Sequence, residues 1–367
     1  AVEQSLSNVD GLVSARGLGA TAGLLDNRGG LFSSSSSLVL HLVGNLLNAG
    51  GEVSAAGGAI VSAAGLGNGN GQLMSDTSLD LTVSGLLFNQ AGTLGASQAL
   101  SVTAGSLDNR KAGSLVSDGG LNLTVHGLLD NQTGGNLLAK GAMDLLVNAL
   151  DNRGGRVSGQ QSLLLRGNSV DNRDGVIRAS KDATLRLAMM DNRDGLLGGA
   201  QALDLDIRQL ANQKGLVSAT GNLLLSADAI GNTQGRIASQ NNLGATVGVL
   251  EQQGGELVAQ GEMSLTATTL DNRSGGLVGS TKALKLDVQS ADNRGGEISS
   301  QQNLEFAGQL LDNSGGKLLA GTRLELTIAR VINQAHGLMF AQDVRLTGAR
   351  LENTQGTFAG QRSLVLQ

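Results

Sequence analysis

An asparagine returns at nearly every twentieth position of this chain. It stands at Asn8, Asn27, Asn48, Asn68, Asn89, Asn109, Asn131, Asn152, Asn172, Asn192, Asn212, Asn232, Asn272, Asn293, Asn313, Asn333 and Asn353, and Gln252 fills the one vacant slot. The step is 20 throughout Asn152 to Asn272 and between 19 and 22 elsewhere. A period of this size marks a solenoid, in which one short unit is stacked on its own copies. The 367 residues would otherwise suggest two or three globular domains. The repeat overrides that count and predicts a single repeat domain over 1–367. Its least regular stretch is 33–70, with the Ser33–Ser37 run followed by an Ala- and Gly-rich segment.

The coil from Leu150 to Ser169 shows what one unit contains. Three short apolar patches stand out: Leu150 before the asparagine, Val157 after it, and the alternating pair Leu163 and Leu165. Alternation at period 2 is a strand signal with one face buried. A helix needs apolar residues at i, i+3 and i+4, and Gly154-Gly155 would weaken it. The same patches recur along the chain, as in Leu203-x-Leu205-x-Ile207 and Leu324-x-Leu326-x-Ile328. Three segments per coil, always in one order, predict an all-β, right-handed parallel β-helix: a triangular solenoid of about 18 coils with three short strands each. The handedness follows from the strong bias of parallel crossovers. At about 4.8 Å per coil the 17 marker steps would make a monomeric rod of roughly 80 Å.

The corner reads Asn-x-x-Gly, as in Asn27-Arg28-Gly29-Gly30, Asn172-Arg173-Asp174-Gly175 and Asn232-Thr233-Gln234-Gly235. Asn tolerates left-handed backbone and bonds locally through its amide, and Gly takes positive φ freely. Stacked in register, each amide can donate to the next. The expected ladder runs through Asn27, Asn109, Asn131, Asn152, Asn172, Asn192, Asn212, Asn232, Asn272, Asn293, Asn313, Asn333 and Asn353. Extra residues fall at this corner, as in Asn109-Arg110-Lys111-Ala112-Gly113, where they leave the core register alone.

Two charged stripes flank the ladder. Asp26, Asp108, Asp130, Asp151, Asp171, Asp191, Asp271, Asp292 and Asp312 precede the asparagine, and Arg28, Arg110, Arg153, Arg173, Arg193, Arg273 and Arg294 follow it. Stacked like charges repel, and the opposite stripe beside them offsets this. The expected result is a self-neutralised corner rather than a calcium or catalytic site. His41, His126 and His336 lie coils apart and are expected at the surface, not around a metal. There is no GxSxG, Walker A or HExxH motif and no calcium-binding nonapeptide series. Sugar-processing grooves stack sugars on aromatic rings, yet Trp and Tyr are absent and the five Phe mostly neighbour core slots. No enzyme activity and no cofactor are therefore expected.

Composition narrows the partners. A net charge of −5 with 16% charged residues leaves no nucleic-acid footprint. No apolar run reaches membrane-spanning length. Absence of Cys excludes disulfides and Cys-ligated metals. The chain opens without a signal peptide, and neither end carries a polar cap. It therefore reads as an internal piece of a longer array, since bare solenoid ends expose strand edges.

The unit LDNRGG followed by x-apolar-x-Ser or Ala stands at Leu25–Ser33 and Leu150–Ser158, and with one extra turn residue at Leu270–Gly279. With the Leu-x-Leu that follows, it resembles the haemagglutinin repeat of bacterial filamentous haemagglutinin-type exoproteins. The likeness runs from about Leu6 to Leu366 and thins over 50–70 and at Leu250-Glu251-Gln252-Gln253-Gly254-Gly255. It implies a β-helical filament, threaded out by an outer-membrane two-partner secretion transporter and displayed on the bacterial surface or secreted. Adhesins and contact-dependent growth inhibition proteins share that family. The implied function is a stalk that projects an adhesive or toxin-bearing region. Two alternatives stay open: the segment is itself a module for a host glycan or cell-surface receptor, or, more remotely, it is a polysaccharide-active β-helix enzyme.

Overall fold

The computed structural model describes residues 2–367, with side chains from Gln4 onward. Its elements are β-strands joined by turns, and no described helix is long and apolar enough to cross a membrane. The chain divides into two compact units, one running to Leu187 and one starting at Ala188. Each is a β-solenoid of coils of about 20 residues, in which a strand pairs in parallel with its own copy one coil away.

In the first unit, Arg156–Gly159 pairs with Asn136–Ala139 and sets Val157 against Leu137. Leu163–Asp171 pairs with Met143–Asp151, so that Leu163 faces Met143, Leu165 faces Leu145 and Val170 faces Leu150. Like therefore stacks on like. All eight of these apolar side chains are buried, each worth about 2 kcal/mol on removal from water.

The three apolar segments are present, but two of them usually run together. Leu163, Leu165 and Val170 lie on one strand. The first two share a parity and Val170 has the other, so the inward-facing alternation flips once between them. That flip is the third corner, taken as a bend within a strand rather than as a turn. Register shifts at Val83/Leu86, Ala104/Leu107 and Val125/Leu128 mark the same bend in neighbouring coils. In two coils the strand divides at the bend and the coil shows three strands: Leu38–Leu42, Asn45–Leu47 and Glu52–Ala55, then Ala59–Ala63, Gly65–Gly67 and Gln72–Ser75.

The second unit repeats the scheme. Leu223–Gly231 pairs with Leu243–Glu251, and Arg236–Ser239 with Glu256–Ala259. Its largest core side chain, Phe306, is 1% exposed and stands in register between Leu286 and Leu326.

Candidate functional site: the asparagine corner

The corner is a four-residue turn closed by a backbone bond from the glycine back to the asparagine: Gly30 to Asn27 at 3.1 Å, Gly155 to Asn152 at 2.9 Å and Gly235 to Asn232 at 2.9 Å. The left-handed residue is neither of these. It is the variable residue two after the asparagine, with φ of 54° at Asp174, 57° at Lys214, 57° at Gln234 and 60° at Gly154. The expectation of a left-handed asparagine is corrected on this point, whereas glycine supplies the positive φ where it stands two after the marker, as at Gly29, Gly154 and Gly295. The closing glycine is needed for space: a Cβ at Gly155 would lie 2.1 Å from the carbonyl oxygen of Asn131 and 2.7 Å from Oδ1 of Asn152. The backbone of one coil rests where that side chain would be.

Inside this turn the asparagine amides point along the stack. In the first unit Nδ2 of Asn8 donates to Oδ1 of Asn27 at 2.6 Å, and the bond repeats through Asn48, Asn68, Asn89, Asn109, Asn131, Asn152 and Asn172 at 2.7 to 2.8 Å. In the second unit Asn192, Asn212 and Asn232 form a run that ends on Oε1 of Gln252. Asn272, Asn293, Asn313, Asn333 and Asn353 form another at 2.6 to 2.8 Å. Each Nδ2 also meets backbone carbonyls: that of Asn27 reaches Gly30 O at 3.1 Å in its own turn and Glu52 O at 3.0 Å in the next coil. Every one of these amides except that of Asn353 is buried. A buried amide costs about 1–3 kcal/mol when left unpaired, so each asparagine fixes the register of its neighbour.

Outside the turn, aspartate and arginine close on each other. Arg153 grips Asp151 with Nε to Oδ1 at 2.9 Å and Nη2 to Oδ2 at 2.6 Å, while its backbone N–H bonds Oδ1 at 3.2 Å. The arginine also reaches the carboxylate of the next coil: Arg110 to Asp130 at 3.3 Å, Arg153 to Asp171 at 3.6 Å, Arg273 to Asp292 at 3.5 Å. Hydrogen bonds from Arg28 hold Asp26 below the usual carboxylate range, and those from Arg273 do the same for Asp271 against the upward push of burial. At Asp108 and Asp171 burial pushes upward most strongly, yet the combined bonds and charges of Arg110 with Gln90, and of Arg173, keep both lowered.

His41 and His126 are exposed on strands and His336 is exposed in a corner, while Nδ1 of His41 lies 3.0 Å from Oγ of Ser62. Among the described residues no group of three His, Asp or Glu side chains is placed to hold a metal ion.

A second small-residue corner escaped the reading of the sequence. Seven or eight residues after each asparagine stands only Ala, Ser or Gly: Ser34, Ser75, Ser117 and Ala139 in the first unit, Ala219, Ser239, Ser280 and Ser300 in the second. Where it is Ser, the hydroxyl closes the turn. Oγ of Ser239 donates between Gly221 O at 2.7 Å and Asn242 O at 3.0 Å and accepts from the N–H of Asn241 at 3.1 Å. The fixed offset from the asparagine was the signal that could have found it.

The corner geometry repeats from coil to coil, and a repeat family model matches along the chain in the same way. The family model described as the haemagglutinin repeat matches six overlapping stretches, residues 3–85, 77–132, 116–186, 167–273, 258–327 and 308–367. No curated protein and no solved structure matches the chain. Matched in this way over nearly its whole length, the chain belongs to the haemagglutinin-repeat family.

Proposed function

We propose that this chain is a stalk segment of a large bacterial surface exoprotein. An outer-membrane transporter of the two-partner type exports the parent, and the repeats hold an adhesive or toxin-bearing region away from the cell. Family membership supports this reading. The observation that carries it is that successive coils offer one another the same bonds: a buried amide at the asparagine corner and strands paired in register. Such a chain grows by nearest-neighbour steps and can lengthen without a new core. Folding by propagation also suits a protein that emerges from a transporter one end first.

In-phase deletion tests the proposal. Removing 293–332 joins Asp292 to Asn333 and takes out two whole coils. The shortened protein should keep its strand signal and thermal transition, and its longest dimension in scattering should fall by about 10 Å. Removing 293–322 breaks the phase and should unfold the coils around the junction, with a loss of strand signal that the in-phase deletion does not show. If both deletions behave alike, the coil is not the modular unit and the stalk reading fails.

A further inference from the structure

The short strands of the second unit frame an open groove with a volume of about 900 Å³, lined by residues between Leu216 and Phe340. Its floor is the outward residue of successive strands, Ser218, Ala238, Val258, Gly279 and Ser299, stacked in register. These side chains are short, so the floor lies low. A Cβ at Gly279 would meet nothing closer than Leu277 Cδ1 at 3.6 Å. At one end the row continues into Leu319 and the half-buried Phe340, which rise and close the groove. From Ser218 to Phe340 is six coil steps, about 29 Å. In the first unit larger side chains interrupt the same row: Met74 lies over Gly95, its Sδ 2.7 Å from where a Cβ would stand, and Leu138 and Arg178 follow, which leaves a smaller groove of about 350 Å³ along Val116, Leu138 and Ser158.

The two rims differ in chemistry. On one, the charges satisfy each other: Arg236 pairs with Glu256, and Glu297 accepts from Ser299 Oγ at 3.0 Å and faces Lys317 at 3.8 Å. That rim presents no net field to draw in a polyelectrolyte. The other rim carries the exposed amides of Gln240, Gln260 and Gln301, which have no side-chain hydrogen-bond partner among the described residues. The floor strands spend their backbone donors and acceptors on the neighbouring coils, so no edge is free for a peptide to add as a strand. What remains is a neutral trough with carbon-rich footing, amide hydrogen-bonding groups at coil spacing and an aromatic ring at its end.

We propose that this groove binds a single strand of neutral polysaccharide. Sugar faces rest on the Ser218–Ser299 floor, ring hydroxyls exchange hydrogen bonds with Gln240, Gln260 and Gln301, and one sugar packs on the ring of Phe340. This gives the segment a ligand of its own, beyond the stalk reading, which rests on separate deletions and survives if the groove binds nothing.

Affinity electrophoresis of the whole chain tests it, in native gels cast with dextran, hydroxyethyl cellulose, mixed-linkage glucan, galactomannan or heparin. At least one neutral polysaccharide should retard the protein, and added salt should not relieve the retardation. A Cβ at Gly279 meets only ordinary contacts, so Gly279→Arg is expected to fold and to send its side chain into the trough. It should keep the wild-type thermal transition and weaken the interaction about tenfold or more, while Phe340→Ala should weaken it about fivefold. The proposal is overturned if no neutral polysaccharide retards the wild type, if folded G279R is retarded equally, or if heparin alone binds.

Discussion

Gln252 passes its hydrogen bond over Asn272. Its Oε1 accepts from Asn232 at 2.8 Å like any member of the run, but the extra methylene carries Nε2 to the carbonyl of Leu277 at 2.9 Å. Oδ1 of Asn272 is left buried without a donor. Gln252→Asn should restore the missing bond and stabilise the protein by about 1–2 kcal/mol. The urea midpoint should rise with an unchanged slope. Asn293→Gln should make the same break two coils further on and lower the midpoint. If neither variant moves the midpoint, the amide run contributes nothing to stability.

Two glycines of the second unit separate space from flexibility. At Gly235 a Cβ would lie 2.0 Å from the carbonyl oxygen of Asn212 and 2.6 Å from Oδ1 of Asn232, and neither atom can move without breaking the corner. At Gly279 the nearest atom would be 3.6 Å away. Gly235→Ala should therefore cost about 3 kcal/mol or more, and Gly279→Ala should stay within about 0.5 kcal/mol of wild type. Thermal unfolding of the pair decides this, and equal losses would mean the corner is looser than its geometry says.

What the sequence made legible is what repeats locally. Leu163 and Leu165 announce a strand because alternation acts between near neighbours, and Asn-x-x-Gly announces a turn for the same reason. What it hid depends on the coil next door. Gly155 looks like a flexible turn glycine, but its constraint is the backbone of Asn131 in the preceding coil. Gln252 looks like a tolerated substitute, and its cost appears only at Asn272. The positive φ falls on residues as different as Asp174, Lys214 and Gln234, so no residue type marked that position. The joined strand Leu163–Asp171 was hidden because a bend and a turn leave the same break in alternation. Those constraints act across about 20 residues of chain, beyond the reach of local pattern.

The aspartate stripe should respond to acid in a definite direction. Asp108 and Asp271 have lowered folded pKa values, so their ionised forms favour the folded state. That contribution is fully present above the unfolded carboxylate value of about 4 and fades as pH falls through the lowered folded values. The pairs are partly exposed, so each is modest and weakened by salt. Arg110→Gln removes the guanidinium while burial still pushes Asp108 upward, so its carboxyl should titrate at higher pH than in wild type. Carboxyl carbon shifts followed by NMR would show it. An Asp108 that titrates at the ordinary value in wild type would contradict the assignment.

A core defect should stay local. Phe306 fills the space between Leu286 and Leu326 and is almost wholly buried. Phe306→Ala should cost about 3–5 kcal/mol in its own coils through lost burial and the cavity left behind. In a globular domain that loss would be shared by every amide that exchanges through global opening. In a stack, stability is a sum of neighbour terms, and sub-global opening becomes the cheaper route. Hydrogen exchange should therefore accelerate across Leu284–Asp292, Leu304–Asp312 and Arg323–Ile332, and leave Ala99–Asp108 and Gly120–Asp130 in the first unit at wild-type rates. Acceleration of equal size in both units would mean that the chain opens as one cooperative body, and the nearest-neighbour account of its stability would have to be abandoned.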